Sequence, residues 1–210
     1  MAMPEIRVAL AQTNPVVGDI SGNLDACFDA TLRASDAGAK VVLFGEMVVT
    51  GYPIEDLAQR ESFVRAAEAA VADFAARLAG ANMGDLHVVI GHPAIAAEPN
   101  GWAISNNCAS VLHGGAVVGR YAKHHLPNYG VFDEKRVFAA GPMPGPMVVR
   151  GVRIGVPVCE DIWDSEVVEC IAETGGEILL VPNGSPYHRN KTEVRQNIAV
   201  ARVTESGLPL

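Results

Sequence analysis

Three residues with reactive side chains stand at or just beyond apolar, strand-like runs. Cys159 closes Ile154-Gly155-Val156-Pro157-Val158, Glu46 follows Val41-Val42-Leu43-Phe44-Gly45, and Lys123 follows the run from Ala116 to Tyr121. The carboxyl ends of strands are where α/β folds keep their chemistry. One thiol, one carboxylate and one ammonium are the parts needed for acyl transfer from an amide. The thiol attacks, the carboxylate takes and returns protons, and the ammonium stabilises the oxyanion while favouring the thiolate. None of the six histidines is required. Taken singly, each residue has a plainer reading: a free cysteine is usually buried and inert, and an acid at a strand end is usually solvated or ion-paired.

Two further stretches carry ionisable or aromatic groups beside these three. Glu160 and Asp161 follow the cysteine at once, ahead of Ile162-Trp163. Tyr121 to Glu134 forms a long loop with Lys123-His124-His125, Tyr129, Phe132 and Glu134, and long loops in compact domains are often functional. The histidine pair invites a metal reading, but no further ligands stand at workable spacing in the sequence, so no metal is assigned. Cys27, Cys108 and Cys170 are scattered, form no CxxC pair and read as packing.

The elements that must position these groups alternate between helix and strand. Ile6 to Leu10 reads as a strand, and Leu24, Cys27, Phe28 and Leu32 mark a helix over about Asn23 to Ala37, stopped by Gly38. Phe63, Ala67, Val71, Phe74 and Leu78 mark one face of a second helix over Ser62 to Leu78. His87 to Ile90 is a strand ended by Gly91-His92-Pro93. Asn106 to Val111 and Ala116 to Tyr121 form a hairpin around His113-Gly114-Gly115. Met147 to Val149 pairs with Val152 to Val158 across Arg150-Gly151, and Pro157, lacking a donor, puts a bulge or an edge just before Cys159. A helix capped by Asp164 runs to Glu173, Ile178 to Val181 is a buried strand, and a last helix spans Thr192 to Glu205, closed by Gly207. Leu208-Pro209-Leu210 reads as the start of another strand.

At 210 residues and 49% hydrophobic, the chain is long enough for one sizeable α/β core. A formal charge of -8 without a Lys or Arg run gives no footprint for nucleic acid or anionic lipid. No apolar run approaches the roughly 20 residues of a membrane span, and Met1-Ala2-Met3-Pro4-Glu5 lacks the layout of a signal peptide. A cytoplasmic enzyme acting on a small molecule is the expectation.

Gly45-Glu46-Met47-Val48-Val49-Thr50-Gly51-Tyr52-Pro53, Lys123-His124-His125-Leu126-Pro127 and Val158-Cys159-Glu160-Asp161-Ile162-Trp163 resemble, in order and spacing, the signature segments of the nitrilase (carbon-nitrogen hydrolase) superfamily. The resemblance runs from Val8 to Leu210. Within the superfamily, Thr50-Gly51-Tyr52-Pro53 with Glu55-Asp56-Leu57, the run Leu126 to Glu134, and Gly184-Ser185-Pro186-Tyr187 with Lys191 look like the glutaminase domains of glutamine-dependent NAD+ synthetases. The resemblance implies an α/β fold, a four-layer α-β-β-α sandwich truncated at its C-terminus. It also implies that residues 1–210 are a nitrilase-like glutamine amidotransferase domain. The synthetase domain that would accept ammonia, with its ATP and Mg2+, is not present in this chain, and no SGGxDS-type loop occurs.

Residue by residue, the resemblance makes Glu46 the general base, Lys123 the oxyanion lysine and Cys159 the nucleophile. Tyr52, Tyr129, Phe132, Glu160 and Ser185 fall in the glutamine pocket, and Glu134 is an acid supporting the lysine. The glutaminase step would need no cofactor, and a homo-oligomer is implied. Glutamine carries an α-ammonium that Glu160 could meet and an α-carboxylate that Ser185 or Lys191 could meet. Two departures stand out: Gly45 replaces the usual proline, and Pro157 interrupts the strand before the cysteine. The alternatives are a stand-alone amidase or carbamoylase acting on another small amide, and a catalytically silent binding or scaffold domain.

Overall fold

The computed structural model describes residues 5–210; residues 1–4, on which most of the N-terminal reading falls, lie outside the described residues. Two sheets stack face to face with helices on both outer faces. The first runs β1 (Val8–Ala11), β2 (Val41–Phe44), β3 (His87–Asn100), β4 (Ala103–His113) and β5 (Ala116–Ala122) in spatial order. β1, β2 and β3 are parallel, whereas β3, β4 and β5 form an antiparallel meander. Helices α1 (Ile20–Asp36) and α2 (Glu61–Gly80) cover its outer face. The second sheet has order β6 (Met147–Val149), β7 (Val152–Gly155) and β8 (Ile178–Leu179). Helix α4 (Glu166–Glu173) packs its Val167, Val168 and Ile171 against Leu179, while α5 (Thr192–Ser206) lies beside α4. A one-turn helix, α3 (Glu134–Val137), sits in the loop between the sheets' strands. This is the four-layer α-β-β-α sandwich that the resemblance implies.

The alternation of apolar residues explains the layers. On β2, Val41 and Leu43 face the second sheet while Val42 and Phe44 face the helices, so all four are buried. Between the sheets, Val41, Leu43, Val89, Ala109, Val111 and Tyr121 meet Val149, Val152, Ile154, Val156, Val158 and Leu180. Burying each large aliphatic side chain contributes about 1.5–3 kcal/mol, so this interior, not the few polar links at its rim, holds the layers together.

Several boundaries differ from the sequence expectation, each for a physical reason. β1 begins at Val8 rather than Ile6. α1 starts at Ile20, three residues early, because the Asp19 carboxylate accepts from Gly22 N at 2.9 Å and caps it. β3 runs through Gly91-His92-Pro93 to Asn100: its partner β2 is already finished at Leu43↔Val89, so the missing Pro93 donor faces no ladder there, while β4 pairs along the other edge. The hairpin turn is Gly114-Gly115, with φ of +60° and +82°, the left-handed pair that a two-residue hairpin requires. β7 ends at Gly155, which leaves Pro157 beyond the ladder instead of bulging it. α4 is preceded by Ser165 with no side-chain cap, so Asp164 does not cap it. β8 stops at Leu179, and Leu208 to Leu210 is not a strand, although Pro209 O accepts from Leu179 N at 2.9 Å.

Candidate active site

The site lies at the seam of the two sheets. Glu46 follows β2, Asn107 sits within β4, Lys123 follows β5 and Glu134 opens α3, all on the first sheet's side. Cys159 comes four residues after β7, and Ser185 follows β8, on the second. Backbone packing fixes the Glu46 turn: a Cβ on Gly91 would stand 2.4 Å from Met47 N and 2.5 Å from Gly45 O, so only glycine lets β3 approach so closely. Gly45 itself lies near Asn183 O, 3.3 Å from where a Cβ would stand.

Lys123 is 1% exposed, and its Nζ lies 2.8 Å from Glu46 Oε1 and 2.9 Å from Glu134 Oε2. Glu134 Oε1 also accepts from Tyr52 OH at 2.9 Å and Asn107 Nδ2 at 3.2 Å. Burial pulls the lysine's pKa down, but the two carboxylates outweigh it and hold the ammonium well above its ordinary range. Burial, with Glu46 adding to it, raises the Glu134 carboxyl against the opposing pull of Lys123. Glu46 Oε1 takes Lys123 and Asn107 Nδ2, both at 2.8 Å, whereas Oε2 is buried with no partner among the described residues.

Cys159 is 3% exposed and opens a short 3-10 turn, Cys159–Ile162, with φ of +48°. A non-glycine residue in that region carries strain of order 1–3 kcal/mol and persists only where its surroundings fix it. Here Cys159 N donates to Pro182 O at 3.0 Å, and Asp161 Oδ2 accepts from Val158 N at 2.9 Å. Asp161 Oδ1 takes His124 N at 3.0 Å and His125 N at 2.8 Å, so one buried carboxylate clasps the cysteine turn to the lysine loop. Arg202 of α5 donates to Trp163 O at 3.2 Å on the far side of the turn.

The thiol stays a thiol. Burial pushes its pKa well up, Glu46 adds to that, and Lys123 opposes it without winning. Lys123 pulls toward the thiolate, in the expected direction, but it already faces two carboxylates, so the sulfur needs a base at the moment it reacts. Ser185 Oγ lies 3.9 Å from Sγ.

Of the remaining residues expected in the pocket, Tyr129 donates from its OH to Glu160 at 2.9 and 3.0 Å to the two carboxylate oxygens. Phe132 bridges Tyr129 and Tyr52, with ring centroids at 5.8 and 6.2 Å. Lys191 Nζ stands 5.7 Å from the Tyr129 ring centre and 5.4 Å from that of Trp163. Tyr52 reaches the lysine cluster through Glu134 and Glu160 through Tyr129 and Phe132, so the nine expected residues fall into one connected region.

The fold adds what sequence spacing missed. Asn107 and Asp161 join the site; the signal for Asn107 was a polar Ser105-Asn106-Asn107 run inside a strand covered on both faces. It also supplies the third donor that the histidine pair lacked: ligand atoms of His124, His125 and Glu166 lie within 4.8 Å of one another among the described residues. That is one short of a closed four-donor zinc shell. Cys27 and Cys108 are core, their thiols pushed up to about 12 by burial, and Cys170 is half-buried on α4.

The carbon-nitrogen hydrolase family pattern matches residues 7–210. The glutamine-dependent NAD(+) synthetase of Rhodobacter capsulatus is 43% identical over 205 residues, covering 97% of this chain and 35% of that protein. Among solved structures, the glutamine-dependent NAD+ synthetase of Acinetobacter baumannii, in complex with ADP, superposes with a TM-score of 0.82 at 32% identity, over 97% of this chain and 37% of that one. An amidase from Nesterenkonia sp. AN1, with acrylamide added at its active site cysteine, gives a TM-score of 0.80 at 28% identity, over 97% of this chain and 76% of that one. The chain thus spans about a third of the length of the curated relatives it matches. Among the described residues, no helix is long and apolar enough to cross a membrane.

Proposed function

The chain belongs to the carbon-nitrogen hydrolase family, and from that premise we propose that it is a glutaminase domain whose Cys159, Glu46 and Lys123 hydrolyse the side-chain amide of glutamine. The observation that carries the reading is the free, buried Oε2 of Glu46 beside a protonated thiol. Glu46 Oε2 takes the Sγ proton as sulfur attacks the amide carbon. The carbonyl oxygen becomes an oxyanion that the Lys123 ammonium stabilises. Glu46 returns the proton to nitrogen, the C–N bond breaks, and ammonia leaves a thioester on Cys159. Water, deprotonated by Glu46, attacks the thioester; the C–S bond breaks, sulfur takes back a proton and glutamate departs.

Glu134 holds Lys123 in place. Glu160, paired with Tyr129, faces the substrate's α-ammonium, with Ser185 and Lys191 toward its α-carboxylate and Tyr52 and Phe132 lining the side-chain path. The likeness to glutamine-dependent NAD(+) synthetases supports glutamine as the substrate. We propose further that ammonia passes to a synthetase domain outside these residues that makes NAD+ from its deamido form with ATP and Mg2+, and that the assembled protein is a cytoplasmic homo-oligomer. The hydrolysis itself would use no cofactor.

A second reading, an amidase acting on another small amide, is favoured by the likeness to the Nesterenkonia enzyme. Glutamate release by the full chain separates the two. Turnover of a different amide without glutamine hydrolysis would overturn the glutaminase reading, and hydrolysis that survives Cys159→Ala would overturn the mechanism.

A further inference from the structure

Asn107 touches more of the reactive cluster than any role in folding asks of it. Its Nδ2 donates to Glu46 Oε1 at 2.8 Å and to Glu134 Oε1 at 3.2 Å, and its backbone oxygen accepts from Lys123 N at 2.8 Å. The side chain is completely buried, and its Oδ1 has no partner among the described residues. The reverse amide orientation would aim that oxygen at two carboxylates, so the donor must face them. An unmet acceptor in the interior is costly, which makes Asn107 a poor choice for packing alone.

We infer that Asn107 is a positioning residue of the hydrolysis, one that decides which oxygen of Glu46 acts as the base. With Lys123 and Asn107 both on Oε1, that oxygen is saturated by donors, and Oε2 is left as the free lone-pair site, packed toward Gly184. Without Asn107 the carboxylate can rotate about its last torsion, which is broad for an sp3–sp2 bond, and Lys123 no longer selects a single oxygen. The same amide keeps Glu46 and Glu134 apart in register around one ammonium. This inference rests on the mechanism proposed above, with Glu46 as base.

The test compares wild type with Asn107→Leu, which keeps the branched shape at a larger volume and removes the donor, and with Asn107→Ser, which keeps a shorter donor. Amide hydrolysis by the full chain is followed from pH 5 to 9, with thermal unfolding alongside. The expected result for Asn107→Leu is a kcat lower by about 10- to 100-fold, the scale of one hydrogen bond to a charged group, with KM changed less than about threefold. The acid limb of the rate profile should move to higher pH, because the carboxylate has lost a donor. Asn107→Ser should fall between the two. A kcat within twofold of wild type in folded Asn107→Leu would overturn the inference, as would a lowered kcat with an unmoved pH profile, the mark of a purely structural role. If Leu fails to fold, Asn107→Ser decides by the same two readouts. If wild type hydrolyses another amide but not glutamine, the glutaminase reading falls, and the Asn107 comparison is run on that amide and decided separately.

Discussion

Replacing Asp161 with alanine should damage stability and catalysis together, because its carboxylate is the clasp between the cysteine turn and the lysine loop. Three backbone N–H groups lose their acceptor: that of Val158, fully buried, and those of His124 and His125, partly buried. An orphaned buried donor costs about 1–3 kcal/mol, and each partly buried one, able to find water, about 0.5–1.5 kcal/mol. Against this stands relief from burying a carboxylate, whose pKa desolvation raises despite the bonds from His125, Val158 and His124. The balance is a loss of about 3 kcal/mol, or a fall of about 6–12 °C in Tm for a chain of this length. Differential scanning calorimetry measures it. Asp161→Asn should fall less, since Oδ1 still serves both histidine amides and only the Val158 contact turns repulsive. A Tm for Asp161→Ala within about 2 °C of wild type, with unchanged kcat, would refute the clasp.

In Glu46→Gln, turnover should fall by about 10^2- to 10^4-fold, measured as glutamate release; a kcat within about tenfold of wild type would refute Glu46 as the base. Glu134→Gln should remain folded but lose about 10- to 100-fold in kcat, measured as ammonia release, because an amide N–H would face the Lys123 ammonium. Glu160→Gln should raise KM for glutamine at least about tenfold with kcat changed little, the scale of one charged contact in binding. His92 is fully buried between Pro93 O and Ser110 Oγ, and burial lowers its pKa from 6.5 to about 4. Its folded value lies below its unfolded one, so the neutral ring stabilises the fold above pH 6.5, and that contribution is lost as pH falls from 6.5 to 4, about 3 kcal/mol at full extent. Glu134 and Asp161, with raised values, run the opposite way in both proteins, so melting wild type beside His92→Gln isolates the histidine: the variant's Tm should decline less across that window.

What was legible in the sequence followed from local rules. Apolar runs covered on both faces, glycine stops and a two-glycine turn needed no tertiary knowledge to place β2, α1 and the β4–β5 hairpin, and the three reactive residues stood at strand ends. What was not legible depended on partners distant in the chain. The length of β3 was set by its pairing with β4 beyond the end of β2, the roles of Asn107 and Asp161 by which loops meet across the seam, and the raised pKa of the Cys159 thiol by its burial, with Glu46 adding to it. Pro157, an anomaly within a strand, became ordinary once β7 was seen to end at Gly155.

Because the base and the lysine hang from one sheet while the sulfur hangs from the other, the thickness of the layer between them works as the caliper of the reaction. Ala109, with no exposed surface, faces that layer opposite the valines that lead to Cys159. A single added methyl pair there would open the gap that chemistry requires closed, without touching any reactive group. Interior volume in this protein therefore sets the spacing of its reactive groups, and Ala109→Val should lower kcat by a larger factor than its change in melting temperature alone would predict.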